Sequence, residues 1–489
     1  MRHAIRLGFV LLLVATGEGQ AAGNQPFCLQ GLWTPTGNMT TRVNGHAATL
    51  LPGGKVLVSG GSGGGPIAEL YDPVTGTWSP TGSMSIGRFV GHTMTLLATG
   101  KVLAVGGASG QDTRPSELYD PDTGQWTTTG STLEQRIAHT ATLLPTGKVL
   151  VVGGSGFPGP LASAELYDPM TGLWHATGAL STGRYWHTAT LLASGQVLVV
   201  GGNSAAGFLP TSSAELYDPV AGTWTPAAPM LAARYLHTAT LLGSGAVLVA
   251  GGTTVSSTEA ELYDPTAGTW HRTGSLSAPR FEHTATLLPS GRVLVVGTLP
   301  RIPNTELFDP ASETWSDAGC TVEPRFGHTA TLLFSGAVLV AGGTPDDSSA
   351  ELYGIVVSPA QVSLAPGASQ TFTARGGSGF DYVWSFTQNN SGGTLTASGA
   401  YQAGPVGGVT DVVQVVDSFA NSATATVNVL RQPTAVSATS PQANSMGCGT
   451  TGVTALPSLG GAVLILLGWR SLRRSRRARH TPAPERAAC

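Results

Sequence analysis

Alternating apolar and polar residues recur along residues 29–354 in one pattern that returns seven times. With few departures, each copy reads His-Thr-Ala-Thr-Leu-Leu, a glycine turn, an apolar run such as Val149–Val152, then Glu-Leu-Tyr-Asp-Pro and finally a tryptophan. The alternating segments predict half-buried strands, and the apolar run predicts a strand covered on both faces. Because turn residues separate four such segments, each copy is predicted to form a four-stranded antiparallel sheet.

The copies repeat at intervals of 45–50 residues, measured between successive histidines. Four-stranded units of this period, stacked around an axis, form a β-propeller. The last copy has no tryptophan strand, whereas Gly31-Leu32-Trp33 precedes the first complete copy. The fold class is therefore all-β, and the N-terminal strand is expected to complete the last of seven blades, which leaves no free sheet edge.

The recurring Arg, Gly-Gly, Glu-Leu-Tyr-Asp-Pro and Trp resemble kelch repeats over residues 29–354. Only Gly297-Thr298, Phe308 and Gly354 break the pattern. The resemblance implies a galactose-oxidase-like propeller, a fold commonly used for binding. Some of these propellers are copper-radical oxidases, whose copper needs two His and two Tyr, with one Tyr crosslinked to a Cys.

The cysteines of this chain do not suit that oxidase site. Within the predicted ring they are Cys28 and Cys320, at the ends of tryptophan strands and away from a central tyrosine. We therefore expect no catalytic residue, no bound metal and no cofactor, and keep an exported carbohydrate-active enzyme only as the alternative. The four cysteines of the chain show no C-x-x-C spacing and predict no disulfide framework.

Three charged or titratable residue types recur in every copy, and we interpret all three as structural. A histidine shared by all blades does not suit a metal that needs three or four converging ligands. Arg and Glu both begin strands at one face of the disc, so they are expected to form ion pairs there. The arginines are 42, 88, 136, 184, 234, 280 and 325, and the glutamates are 69, 117, 165, 215, 261, 306 and 351.

Residues that differ between the copies are the candidates for binding. The gap from Gly-Gly to Glu varies between 8 and 13 residues, as expected for solvent-exposed loops. These loops and the segments before each histidine are predicted to share one face, where aromatic side chains suit a sugar ring or a peptide. For each of them taken individually, packing between blades is the favoured interpretation. The candidates are Phe89, Arg114, Phe157, Tyr185, Trp186, Phe208, Tyr235, Phe281 and Phe326.

Both ends of the chain indicate export. Residues 1–22 have the basic start, apolar run and small-residue cleavage site of a signal peptide. Residues 448–489 resemble the sorting tails called MYXO-CTERM, with Cys448-Gly449, a short apolar stretch and an arginine cluster, although the chain continues past the cluster. Membrane contact is expected only through this tail, and Cys448 is the candidate processing residue.

The region between the propeller and the tail contains a second predicted domain. Residues 355–430 read as short alternating strands, typical of an Ig-like β-sandwich similar to bacterial surface modules, and 431–447 read as a linker. Residues 22–448 contain 16 Lys and Arg against 26 Asp and Glu, a net charge of −10, which excludes ordinary nucleic-acid binding. We expect a monomeric cell-surface protein that binds a glycan or a protein. A surface-layer component without a soluble ligand is a further alternative.

Overall fold

Seven antiparallel sheets of four strands follow one another along the chain in a computed structural model of the protein. The structure describes residues 32–62, 65–157, 159–204, 209–252, 258–297, 304–343, 347–376, 381–417 and 422–431. We number the sheets as blades in the order of their histidines. Blade 1 contains Ala47–Leu50, Val56–Ser59, Ala68–Asp72 and Thr77–Pro80; blade 2 contains His92–Leu96, Val102–Gly106, Pro115–Asp120 and Gln125–Ser131; blade 3 contains Thr140–Leu143, Val149–Val152, Ala164–Asp168 and Leu173–Ala176; blade 4 contains Thr188–Leu191, Val197–Val200, Ala214–Asp218 and Thr223–Ala227. Blade 5 contains Thr238–Leu241, Val247–Ala250, Ala260–Asp264 and Thr269–Arg272; blade 6 contains Thr284–Leu287, Val293–Val296, Asn304–Asp309 and Thr314–Cys320; blade 7 contains Thr329–Leu332, Val338–Ala341 and Ala350–Tyr353, together with Trp33–Pro35.

The second strand of each blade is covered on both faces, as its apolar sequence predicts. Leu150 and Val152 of blade 3 pack in one core cluster with Val197 and Val199 of blade 4. Tyr217, on the third strand of blade 4, belongs to the same cluster. Because side chains alternate across a strand, each apolar strand fills the space towards both neighbouring blades. The core of the propeller is therefore a series of layers between sheets.

The first strand of the chain is the fourth strand of blade 7. Trp33 pairs with Tyr353 in antiparallel register, and their rings lie 5.2 Å apart. The Trp33 indole also donates hydrogen bonds to Thr305 Oγ1 and the Ala318 carbonyl of blade 6. On the other side, His46 of blade 1 bonds to Thr329 of blade 7. The expected pairing of Trp33 with the last repeat is therefore present.

Gly-Gly ends the second strand because there is no room for a side chain there. In blade 5, Gly251 has φ +63°, and a Cβ on it would lie 2.6 Å from the Arg280 carbonyl and 2.8 Å from His283 Cε1 of blade 6. Gly252 has φ +83°, and a Cβ on it would lie 2.7 Å from His237 Cβ of its own blade. The two glycines let the central histidines of adjacent blades approach closely.

After blade 7 the chain forms nine further strands within the described residues. A four-stranded sheet, a three-stranded sheet and a two-stranded sheet enclose one core. Two of these strands, Ser369–Thr371 and Thr373–Gly376, are separated at Phe372, whose buried ring lies 6.3 Å from that of Trp384. The strands are Ile355–Ser358, Gln361–Leu364, Ser369–Thr371, Thr373–Gly376, Val383–Gln388, Thr394–Leu395, Ala400–Gln402, Val409–Val416 and Ser422–Val429.

The sequence analysis is wrong about the cysteines, because Cys320 is disulfide-bonded. The other cysteines, 28, 448 and 489, all lie outside the described residues. The predicted signal peptide, linker and tail also lie outside them. In the part of the chain that is described, the structure has no helix long and apolar enough to cross a membrane.

Candidate functional site

The repeated arginines and glutamates form buried ion pairs in six of the seven blades, as predicted. In blade 5, Arg234 Nη2 lies 2.6 Å from Glu261 Oε1, and Nη1 donates to the carbonyls of Gly251 and Glu259. Both side chains are almost completely buried. These bonds place the segment before each histidine, the end of the second strand and the start of the third strand at one face. We call it the loop face.

The prediction is wrong for Arg42 in blade 1. This side chain is exposed and has no ion pair with Glu69 among the described residues. Val43 is buried instead, and its carbonyl accepts the Gly343 amide as the Arg234 carbonyl accepts that of Gly202. Glu69 accepts hydrogen bonds from the amides of Thr40 and Thr41. In blade 1 the buried place therefore belongs to Val43, three residues before His46, and blades 3 to 7 have their buried arginine at that same spacing. In blade 2 the buried residue is Arg88, four before His92.

The seven central histidines are buried and bridge neighbouring blades. In six of them Nε2 lies 2.8–3.0 Å from a threonine hydroxyl of the preceding blade, as in His187 with Thr140. Blade 1 has Ala47 at the threonine position, so His92 lacks this hydroxyl partner. Burial, together with the nearby charge of Arg184, lowers the pKa of His187 to about 3. The histidines are therefore neutral and structural at physiological pH.

The residue before each central histidine has a left-handed backbone in all seven blades. The residues are Gly45, Gly91, Ala138, Trp186, Leu236, Glu282 and Gly327, with φ between 51° and 69°. Five hydrogen bonds join them from blade to blade, such as the Trp186 amide to the Ala138 carbonyl at 3.0 Å and the Leu236 amide to the Trp186 carbonyl at 3.2 Å. We call this ring of seven residues the axial belt. It encircles the propeller axis at the loop face.

Side chains are distributed unevenly around the axial belt. Blades 7, 1 and 2 have glycine there, whereas blades 4, 5 and 6 have Trp186, Leu236 and Glu282. A left-handed backbone costs a non-glycine residue about 1–2 kcal/mol. Glycine would relieve that cost, as it does in the other three blades. We call the opening inside the axial belt the axial mouth. The non-glycine residues therefore make one side of the axial mouth different from the other side.

Three of the predicted binding residues form one aromatic cluster beside the belt. The rings of Trp186 and Tyr235 stack at 5.9 Å with an interplanar angle of 22°, and Tyr185 lies 4.9 Å from Trp186. Tyr185 is 9% exposed, and burial raises the pKa of its hydroxyl. The cluster spans blades 4 and 5 and joins the loop face to the axial mouth.

The other predicted binding residues are dispersed. Phe89 is 43% exposed and Phe157 is 93% exposed, whereas Phe281 and Phe326 are half-buried. The Arg114 guanidinium bonds to the Asp112 carboxylate at 2.7 Å within its own loop. Phe208 lies outside the described residues. Among the predicted binding residues that the structure describes, ring contacts join Tyr185, Trp186 and Tyr235.

Glu282 and Asn44 are candidate site residues that the sequence analysis missed. Glu282 is half-buried, and its carboxylate has no hydrogen bond or ion pair with another described residue. Burial raises its pKa. Asn44 Oδ1 lies against the Cα of Gly327 so closely that a Cβ there would overlap it. The sequence did contain one signal for the position of Glu282. Three repeats have glycine immediately before the histidine, which indicates a left-handed backbone there.

The described residues do not fit the copper site of the oxidases that the kelch resemblance suggests. No three His, Cys, Asp or Glu side chains in the described part of the chain converge as metal ligands. The central histidines bridge blades, and Cys320 is in a disulfide and so cannot be crosslinked to a tyrosine. No step through copper is derived for this site.

Comparison with known proteins supports the fold. Residues 138–178 and 189–231 match the family model described as "Kelch motif". The chain is also similar to a solved "Novel fungal alcohol oxidase with catalytic diversity among the AA5 family, in complex with copper", with 18% identity and a TM-score of 0.57. That alignment covers 82% of this chain and 100% of the oxidase. At this identity it shows the fold alone.

A second solved structure, "Structure of YjhT", is 14% identical with a TM-score of 0.46, and its alignment covers 57% of this chain and 98% of that chain. No curated protein matches the chain. The protein has the kelch propeller fold.

Proposed function

We propose that this protein is an exported, cell-surface binding module that holds a glycan or protein ligand at the loop face of its propeller. One observation carries the proposal: three aromatic residues that differ from the repeat gather at one place on that face. Tyr185, Trp186 and Tyr235 form the aromatic cluster there, and Glu282 follows in the next blade. Aromatic rings with a polar group nearby are typical of ligand-binding sites.

The repeated residues support this interpretation because they are buried and make contacts within the propeller. The buried Arg–Glu pairs hold the chain entering each blade, and the histidines bond to threonines. Such side chains stabilise the propeller and are not available to a ligand. Binding therefore falls to the residues that differ between blades.

Export and surface location rest on the two ends of the sequence. In this proposal, residues 1–22 direct secretion, 355–430 form an Ig-like spacer, and the tail at 448–489 attaches or sorts the protein, with Cys448 as the processing residue. The proposed module acts as a monomer, needs no cofactor and binds no nucleic acid.

The rival proposal is an exported oxidase, because the fungal alcohol oxidase has a similar fold. The donor set of the described residues does not favour it, since the central histidines and Cys320 are engaged elsewhere. Metal analysis of the purified protein separates the two proposals. One copper per chain would overturn the binding proposal.

The proposed function is tested by screening the purified protein on glycan and peptide arrays. We expect a defined set of ligands, and we expect the double variant Trp186→Ala, Tyr235→Ala to lose at least tenfold in affinity for them. Ala138 has the backbone conformation of Trp186, so alanine is compatible with the belt. The matched control is Met170→Ala, because Met170 is 87% exposed in a turn at the opposite face. Equal binding by the double variant and the control would contradict the proposal.

A further inference from the structure

The strongest unexplained feature of the loop face is the carboxylate of Glu282. The repeated glutamates on the third strands, such as Glu261, bond to an arginine or to backbone amides. Glu282 has no partner among the described residues, although it is half-buried and its pKa is raised by burial. A partly desolvated carboxylate without a partner is unfavourable, and a cation beside it would remove that cost.

The buried arginines of blades 5, 6 and 7 are already paired with other carboxylates. Arg280, two residues before Glu282, is almost completely buried and bonds to Glu306 through both Nε and Nη2. Arg234 and Arg325 of the adjacent blades are bonded through Nη2 to Glu261 and Glu351. These three arginines therefore do not supply the charge that complements Glu282.

The neighbours of Glu282 along the axial belt could contact both the charged group and the alkyl stem of a lysine or arginine side chain. In the preceding blades, Leu236 and the stacked rings of Trp186 and Tyr235 offer an apolar and aromatic surface. In the following blades, the Asn44 side-chain oxygen lies at Gly327 and makes no hydrogen bond with another described residue. An ammonium or guanidinium group gains from a carboxylate, an amide oxygen and aromatic faces, while its alkyl stem packs against leucine and the rings.

The size of the mouth favours a slender group. Hydrogen-bonded backbones lie about 4.8 Å apart, and five of the seven steps around the axial belt are hydrogen-bonded. A ring with this spacing at all seven steps would be roughly 11 Å across between Cα atoms. Trp186, Leu236 and Glu282 narrow this opening on one side. A lysine or arginine side chain fits such an opening more easily than a glycan chain does. The net charge of −10 over residues 22–448 also attracts basic partners over longer distances.

We propose that the axial mouth binds a lysine or arginine side chain of a protein partner, with Glu282 as its counter-ion and Trp186 and Tyr235 as its aromatic wall. This inference rests on the proposed binding function and specifies its ligand. An acidic peptide or an anionic sugar would be repelled by Glu282. A neutral glycan would not depend on the charge of Glu282.

The test compares the binding of four labelled pentapeptides, Gly-Ser-X-Ser-Gly with X as Lys, Arg, Gln or Glu, by fluorescence anisotropy at low salt. We expect the Lys or the Arg peptide to bind at least tenfold more tightly than the Gln peptide. Glu282→Gln should abolish this preference, and Trp186→Ala should weaken binding of the basic peptides about fivefold. Glu282→Gly is a second variant that suits the left-handed backbone, since glycine occupies the position in three blades.

Glu313→Gln is the matched control. Glu313 also has a left-handed backbone, with φ 54°, but lies in an outer turn beside His271. It should keep the preference for basic peptides. The inference is overturned if the unmodified protein shows no such preference, or if the Glu282 variants retain it. Array ligands that bind independently of Glu282, such as neutral glycans, would overturn this inference and leave the proposed function standing. Absence of any array ligand would refute the proposed function itself.

Discussion

Arg234 and Arg42 have matching places in the repeat but opposite surroundings in the molecule. The Arg234 guanidinium is fully buried between Glu261 and two carbonyl oxygens, whereas Arg42 is exposed. Net stabilisation by a buried pair is small, because desolvation offsets the attraction. Removal of one partner is costly, because the other charge is left buried. The two arginines therefore separate sequence similarity from structural role.

We expect Arg234→Met to lower the free energy of unfolding by about 3–5 kcal/mol, because Glu261 keeps its buried charge without the guanidinium. Arg42→Met should change it by less than about 0.5 kcal/mol, as is usual for exposed residues. Denaturant unfolding of the two variants at neutral pH measures both values. Similar losses for the two variants would show that the buried pair has no special cost.

At the scale of the strand and turn, glycine is needed for two separate reasons that blade 5 lets us distinguish. Gly245, in the turn between the first two strands, has φ +88° and open space where a Cβ would be. Gly251 has φ +63° as well, but a Cβ there would meet the Arg280 carbonyl and His283. The first position requires only a backbone conformation, and the second requires both conformation and space.

Gly245→Ala should cost about 1–2 kcal/mol, the strain of a left-handed alanine. Gly251→Ala should cost this and about 1–3 kcal/mol more, because the adjacent blade must move. Thermal unfolding of the two variants gives the comparison. If both alanines cost the same, close packing between blades does not explain the Gly-Gly pair.

The strands of the propeller were largely predictable because the same sequence pattern occurs in each repeat. Four strands per blade, the role of the apolar second strand and the pairing of Trp33 with the last repeat all follow from periodicity and turn residues. Arg42 was expected to be buried because it matches the other arginines by residue type. It lies four residues before His46, one more than in blades 3 to 7, but Arg88 also lies four before its histidine and is buried, so this spacing does not decide burial. Alignment by residue type could not show this difference.

The candidate site was less predictable because it depends on neighbours that are distant in sequence. Trp186 and Tyr235 were expected to be on the loop face, but their stacking depends on the approach of two blades. Glu282 looks like an ordinary polar loop residue in the sequence. Its lack of a partner and its place in the belt emerge only when seven repeats surround one axis. Cys320 likewise gave no sign of its disulfide in the spacing of the cysteines.

For the molecule as a whole, the seven buried histidines couple folding to protons. Burial lowers the pKa to about 4 for His46 and to about 3 for His92, His187, His283 and His328. Burial also places the pKa values of His139 and His237 well below 6.5. In the unfolded chain each histidine returns to about 6.5. Between these values the unfolded chain binds more protons, so stability falls as the pH is lowered through 6.5 towards 3.

This linkage predicts a sharp loss of stability in mild acid. Each additional proton bound by the unfolded chain removes about 1.4 kcal/mol per pH unit, and all seven histidines contribute together. The melting temperature should be nearly constant above pH 7 and fall steeply between pH 6.5 and 4.5. Calorimetry in buffers of different ionisation enthalpy should show an uptake of about six protons on unfolding near pH 5.5, since about nine-tenths of each unfolded histidine is then protonated.

His187→Gln provides the internal check, because it should reduce that uptake by about one proton. Asp72 and Asp168 cannot mimic the effect. Hydrogen bonds from neighbouring amides and lysines lower their pKa values below the usual 3.8. Their contribution is therefore present above pH 3.8 and disappears only as the pH falls further. A melting temperature that stays constant down to pH 4.5 would mean that the histidines are protonated in the folded ring, and the neutral His–Thr bridges would then be wrong.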